Sequence, residues 1–512
     1  MTAESSRGPD DRGERAEDKG QKAEDRGPGT GAGTHPSSVV RPPSSGSLPL
    51  WAGVVILGLA AGVVVLLGLL AVSIMERRWE TQRPALVVQP LAQWEPDSAV
   101  WGQNYPVEYE SYLRTRITDS KTKYGGSYPR DYLEADPYAV ILFAGYGFSA
   151  EYRQGRGHYY AVEDVTVTQR LKRPFNAATC WTCKSTDVPR LMNQMGIKEF
   201  YAANFHDLTK EVTHPIGCQD CHDPQTLRLR ITRPALKEAF AAMGRDINAA
   251  THQEMRSLVC AQCHVEYYFR TDEKAGLKNY LVFPWRKGTT LEDILAYYDE
   301  LDFSDYVHAI SGTPIIKAQH PDYELYLTGI HAFRNVSCAD CHMPYHTEGG
   351  VKYTDHHVQS PLLNIANSCA VCHRWSEDEI RTRVEGIQTK VENAKLAAEE
   401  ALVHAHFDVA AAGQAGVSAG DLVEARRLLR RAQFRWDFIA ANNGMGFHSP
   451  QESMRLLGEA ADLAQQTRVQ AARLLAKRGI TEPPRYPDLA TRQKAWEVVQ
   501  AFVGGQGVKL LP

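Results

Sequence analysis

All ten cysteines of the chain fall into five Cys-x-x-Cys pairs: Cys180 with Cys183, Cys218 with Cys221, Cys260 with Cys263, Cys338 with Cys341, and Cys369 with Cys372. Four pairs are followed directly by His222, His264, His342 and His373. At that spacing two thioethers and an axial imidazole hold a covalent c-type haem. Paired cysteines also serve zinc sites and redox dithiols. Four histidines in register, in a chain with 18 histidines among 512 residues, point to haem.

The fifth pair is followed by Lys184. A lysine reaches a haem iron from this position only as a neutral amine. An electron-transfer haem has both axial positions filled, whereas a haem that binds a substrate leaves one open. The departure from paired imidazoles therefore marks Cys180 to Lys184 as the candidate chemical centre.

Five haems in one chain become much of its core. The expected fold class is mainly α: a multihaem cytochrome c with few short strands, a haem-packed core and long C-terminal helices. A net charge of -4 gives no sign of nucleic-acid binding.

Residues 1–50 are Gly, Pro, Ser and mixed charge with little apolar content, the composition of a disordered tail, here cytoplasmic. Residues 51–75 carry no charge and are long enough to cross a bilayer, which suits an uncleaved transmembrane signal anchor. Arg77, Arg78 and Arg83 follow the span and only Arg41 lies close before it, against the positive-inside tendency. Haem attachment is extracytoplasmic, so the body is expected on the periplasmic side of the cell membrane.

Residues 76–375 hold the five motifs and are expected to form the pentahaem catalytic region, beginning with irregular structure and short helices. Residues 376–512 read as long helices. Ile380, Val384, Ile387, Val391, Ala394, Ala398 and Ala401 make an apolar stripe at spacings of three and four. Further helices are expected at about 419–443 and 450–477, the latter opening on Pro450. The stripes suit the core of one subunit and a subunit interface equally.

The motifs resemble those of pentahaem cytochrome c nitrite reductase, the ammonia-forming enzyme, in its calcium-containing form. The likeness spans roughly residues 95–480. It rests on one CWTCK and four CxxCH in this order, on CAQCHVEYYF at 260–269, and on KAQHPDYELYLTGIHAFRNVSCADCHMP at 317–344.

The resemblance implies that nitrite binds at the Lys-ligated haem beneath Arg170, Tyr267 and His320. It implies one Ca2+ held by Glu266, the backbone carbonyls of Tyr267 and Lys317, and Gln319. It also supplies the second axial ligands: His158 for the haem of Cys260 and Cys263, His356 for Cys218 and Cys221, His331 for Cys369 and Cys372, and His448 for Cys338 and Cys341. His357, beside His356, is the minor alternative.

The implied activity is dissimilatory six-electron reduction of nitrite to ammonium, with hydroxylamine or sulfite as further substrates. Electrons would come from a quinol-linked membrane cytochrome c, and the family pairs into homodimers through its C-terminal helices. The alternative is an electron-transfer conduit with no substrate of its own, which has no need of an anion pocket.

Overall fold

The structure is a computed structural model that describes residues 49–82, 87–348 and 350–511. The expected tail lies outside the described residues up to residue 48. The chain divides into two units, residues 1–84 and 85–512.

In the first unit one helix runs from Leu50 to Gln82. Its stretch Leu50–Met75, 26 residues, is long and apolar enough to cross a membrane. At 1.5 Å per residue it spans about 39 Å, more than the roughly 30 Å of a hydrocarbon core. Large apolar side chains such as Leu57, Leu66 and Leu69 are exposed along it, as suits a lipid-facing helix.

The second unit is mainly α. Among the described residues its first part is built of helices of three to ten residues, many of them single 3-10 turns, with three two-stranded antiparallel hairpins. The longest hairpin pairs Tyr268–Asp272 with Leu277–Val282 and carries Tyr267 at its root. The other two pair Tyr306–Val307 with Pro314–Ile315 and Tyr345–Glu348 with Val351–Thr354.

Three long helices follow: Glu377–Gln414, Val423–Ala440 and Pro450–Ala476. The first starts at a capping box, with the Ser376 hydroxyl on the Glu379 N–H and the Glu379 carboxylate on the Ser376 N–H. Three acidic residues in its first turn suit the helix dipole. It stops where Gly416 takes φ +77° and the Val417 N–H donates back to the Ala412 carbonyl at 3.1 Å.

The first long helix packs along the second and third within the same chain. Val391, Ala398 and Ala401 are buried there, Ile387 and Ala394 are half-buried, and Ile380 and Val384 are buried in a separate small cluster with Leu362 and Ile365. Fully buried Leu402, Leu429 and Leu456 join this core, each stabilising it by roughly 2 kcal/mol. A fourth helix, Arg492–Val503, packs against the short helix Tyr138–Leu142, and sequence periodicity had not indicated it.

Candidate functional site

The cysteine motifs share one local geometry with one exception. In the motifs at 218, 260 and 369 the N–H of the His donates to the carbonyl of the first Cys, four residues back, at 2.9–3.0 Å. This single turn brings both sulfurs and the imidazole to one side. In the exception, the Lys184 N–H donates to Trp181 at 2.9 Å, a tighter 3-10 turn within an otherwise buried loop. Trp181 is fully buried, stacks on Phe205 at 4.0 Å, and donates its indole N–H to the Phe205 carbonyl.

Arg233 locks that loop to the next motif. Its guanidinium is buried, donates to the Thr182 and Ser185 carbonyls at 2.7 and 2.9 Å, and pairs with Asp220 at 2.7 Å. Asp220 lies inside the helix Cys218–Cys221. One buried charge pair thus sets the loop of Lys184 against the neighbouring haem motif.

The residues fit the five haems. Imidazole ring centres are 6.2 Å apart for His222 and His356, 6.3 Å for His342 and His448, and 6.4 Å for His331 and His373. Two metal–imidazole bonds of about 2 Å, with about 1 Å from each nitrogen to its ring centre, add up to about 6 Å. His158 and His264 are enclosed near each other, and burial, then the His264 charge, pushes His158 down to about 4. His356 is the one of the two adjacent histidines that faces His222, with its Nδ1 held by the Thr354 carbonyl at 2.7 Å.

The motifs are also neighbours of one another. Cys183 lies against Cys263, Cys260 against Cys338, and Cys341 near Cys369, while Cys221 adjoins Cys263. The order in space is therefore 180/183, 260/263, 338/341, 369/372, with 218/221 branching at 260/263.

Arg170, Tyr267 and His320 come together at the Lys184 motif. Arg170 sits on the 3-10 turn Gln169–Leu171, donates to the Glu151 carbonyl at 2.9 Å, and lies over the Phe148 ring at 4.0 Å. Burial raises the Cys180 thiol to about 11, and Arg170 is close enough, with Lys184, to offset part of that rise. Tyr267 stacks on Phe269, and burial, then Cys183 and Cys180, raises its hydroxyl well above the ordinary value. Burial, then the Lys184 charge, pushes His320 down to about 3. At neutral pH this ring is neutral and offers one donor and one acceptor.

His320 is held by the chain on either side. Its N–H donates to the Val265 carbonyl at 3.3 Å, its own carbonyl accepts from the Asp322 N–H at 2.7 Å, and the Tyr323 N–H donates to His264 at 3.0 Å. Upstream, Asp437 on the second long helix accepts from the Lys317 ammonium at 2.9 Å and the Ala318 N–H at 2.8 Å. Sequence reasoning had not picked out Asp437, Asp322, Arg233 or Tyr146. Tyr146 stacks on Tyr306 at 4.7 Å near Arg170 and Cys180.

Three of the four expected calcium ligands, Glu266, Gln319 and Lys317, are linked by hydrogen bonds. Glu266 is fully buried, accepting from the Gln319 N–H at 2.6 Å and the Tyr298 hydroxyl at 2.9 Å. Burial, with Glu324 and Asp305 nearby, raises its carboxyl well above the ordinary value despite those two bonds. The Gln319 side-chain amide lies 2.9 Å from the Lys317 carbonyl. Among the described residues no three His, Cys, Asp or Glu side chains converge on a metal-sized point. The expected set needs only one carboxylate, since two of its ligands are backbone carbonyls. An all-oxygen set around a buried, crowded carboxylate suits a hard divalent cation.

Residues 97–505 match the family model described as Cytochrome c552. The chain is similar to a cytochrome c-552 of Bacteroides fragilis, 47% identical over 462 residues, covering 88% of this chain and 92% of that protein. It is 48% identical over 459 residues to a cytochrome c-552 of Parabacteroides distasonis, with 88% and 92% covered. Among solved structures it is similar to the cytochrome c nitrite reductase of Desulfovibrio desulfuricans ATCC 27774, whose catalytic subunit is described with two calcium sites. The TM-score is 0.71 at 33% identity, covering 75% of this chain and 88% of that one.

Proposed function

We propose, for a chain that belongs to the cytochrome c552 family, that it is a cytochrome c nitrite reductase reducing nitrite to ammonium. The reading carries five covalent c haems and one Ca2+. The balance is NO2− + 6e− + 8H+ → NH4+ + 2H2O. The observation that carries the proposal is the convergence of Arg170, Tyr267 and His320 on the one Cys-x-x-Cys motif that ends in lysine.

Lys184 would hold the iron at the attachment site of Cys180 and Cys183, and His222, His264, His342 and His373 with His356, His158, His448 and His331 would hold the other four. When bound, the haems supply electrons and one open position for the substrate nitrogen.

The chain's residues do the rest. Arg170, fixed by Glu151 and Phe148, offers a permanent charge and a donor fork to the anion. His320 donates to a substrate oxygen and delivers protons as water leaves. Tyr267 adds a second donor. Calcium on Glu266, Gln319 and the Tyr267 and Lys317 carbonyls would hold both loops in register. The pocket's polar groups are what a pure conduit would lack.

The order of the motifs supports electron delivery toward Cys183 through the haem of Cys260 and Cys263. A quinol-linked membrane cytochrome c is the donor in this reading. The apolar helix anchors a periplasmic body to the cell membrane, and the long helices pair two copies. Hydroxylamine and sulfite are small enough for the same pocket.

The test is ammonium formation by the haem-loaded full chain beside His320→Ala and Lys184→His. His320→Ala should lose about 10²–10⁴-fold in turnover. Lys184→His should lose turnover and change the spectrum of one haem only. Undiminished turnover in both variants rejects the site.

A further inference from the structure

The axial histidines differ in what holds their outer nitrogen. Nδ1 of His222 faces the Leu227 carbonyl at 2.8 Å, that of His342 the Gln359 carbonyl at 2.9 Å, and that of His356 the Thr354 carbonyl at 2.7 Å. Among the described residues His264 is the axial histidine bonded to a carboxylate: its Nδ1 lies 3.3 Å from Asp322 Oδ2.

The other Asp322 oxygen points toward a second axial histidine. Oδ1 lies 4.0 Å from Nδ1 of His448, too far for a hydrogen bond, and that nitrogen is buried with no hydrogen-bond partner. Asp322 is itself fixed from the loop that carries His448: Asn443 donates its N–H to Oδ1 at 2.9 Å and its side-chain N–H to Oδ2 at 2.7 Å. Its side chain is 10% exposed, so the charge is little screened.

From this geometry we infer that Asp322 is a positioning residue that lowers the reduction potential of the haem at Cys260 and Cys263 through His264, and to a smaller degree that of the haem at Cys338 and Cys341 through His448. The inference rests on the haem assignment proposed above. A carboxylate accepting from an imidazole N–H makes the ring a stronger donor to iron than a carbonyl does, which favours the oxidised metal.

Placement gives the effect a use. The motif at 260/263 adjoins both the Lys184 motif and the branch motif at 218/221. A haem held at low potential there passes electrons to the catalytic haem downhill. Asp322 also follows His320 by two residues, so the segment that carries the substrate's proton donor sets the donor strength of the last relay.

The experiment is a potentiometric titration of the holoprotein followed by electron paramagnetic resonance, which resolves individual haems. In Asp322→Asn one bis-imidazole haem should rise by about tenfold in its reduction constant, which is about 59 mV for one electron. A second should rise less, and the haem at Cys218 and Cys221 should not move. Asn443→Ala conserves charge and frees Oδ2 from its 2.7 Å donor, so the same haem should shift downward.

Opposite shifts in the two variants establish the hydrogen bond as the cause. Unmoved potentials in Asn443→Ala, or equal shifts of every haem in Asp322→Asn, overturn the inference. If Asp322→Asn does not fold, Asn443→Ala carries the test alone. Fewer than five covalent haems in the parent protein would overturn the haem assignment as well, whereas five haems with unmoved potentials would overturn this inference only.

Discussion

Asp437 and Lys317 form an ion pair in which each side chain is 1% exposed, and it anchors the segment that ends in His320. Asp437→Ala removes the acceptor of the Lys317 ammonium and of the Ala318 N–H together. Breaking a buried pair by deleting one partner costs about 3–5 kcal/mol, because the surviving charge stays buried. The stranded Ala318 amide accounts for about 1–3 kcal/mol of loss by itself. The expected destabilisation is therefore about 4 kcal/mol, read as the denaturant midpoint of the holoprotein, with nitrite turnover falling in step.

The double variant Lys317→Met/Asp437→Leu supplies the control. It removes both charges at similar volume, which is often neutral for a buried pair, so only the amide's loss of about 1–3 kcal/mol remains. The Lys317 carbonyl, an expected calcium ligand, is untouched. The double variant should be more stable than Asp437→Ala by about 2 kcal/mol and should regain turnover. A double variant no more stable than Asp437→Ala would refute the ion-pair argument.

Three further outcomes are expected. Burial pushes His406 from 6.5 down to about 4. It stacks on His308 at 3.7 Å, and burial, then the His406 charge, pushes His308 well below its ordinary value. A depressed histidine leaves stability intact above about pH 6.5 and removes it as pH falls toward 4, by about 3 kcal/mol for His406; His406→Gln should flatten that decline in denaturation at pH 7.5 and 4.5. Arg170→Gln removes a charge-assisted bond of about 1.5–3 kcal/mol and should raise the KM for nitrite roughly 10–100-fold, more than it lowers kcat. Calcium chelation should abolish turnover reversibly, and Glu266→Gln should need roughly 10–100-fold more calcium for recovery in a calcium titration of activity.

The haem motifs were legible because covalent attachment leaves a fixed spacing in sequence. The long helices were legible because their apolar stripes repeat at helical spacing: Val423–Ala440 and Pro450–Ala476 lie close to the expected 419–443 and 450–477. The helix Arg492–Val503 was missed because it is short and buries only Ala495, Val498 and Val499.

At the site, Arg170, Tyr267 and His320 came from resemblance, since an isolated Arg, Tyr or His has no spacing of its own. Asp437 is 120 residues from its partner Lys317, and Asp322 is 58 from His264, so nothing local announces either pair. His308 and His406, buried and stacked on each other, lie 98 residues apart with no spacing that pairs them in sequence. The apolar stripe of Glu377–Gln414 is buried within the chain itself.

The most direct test of the central claim is the electron and nitrogen balance of nitrite turnover by the haem-loaded chain with a low-potential donor. Six electrons consumed and one ammonium formed per nitrite, with a spectral change on nitrite addition confined to one haem, is the predicted result. No ammonium, together with five haems that show no spectral response to nitrite, would contradict the account.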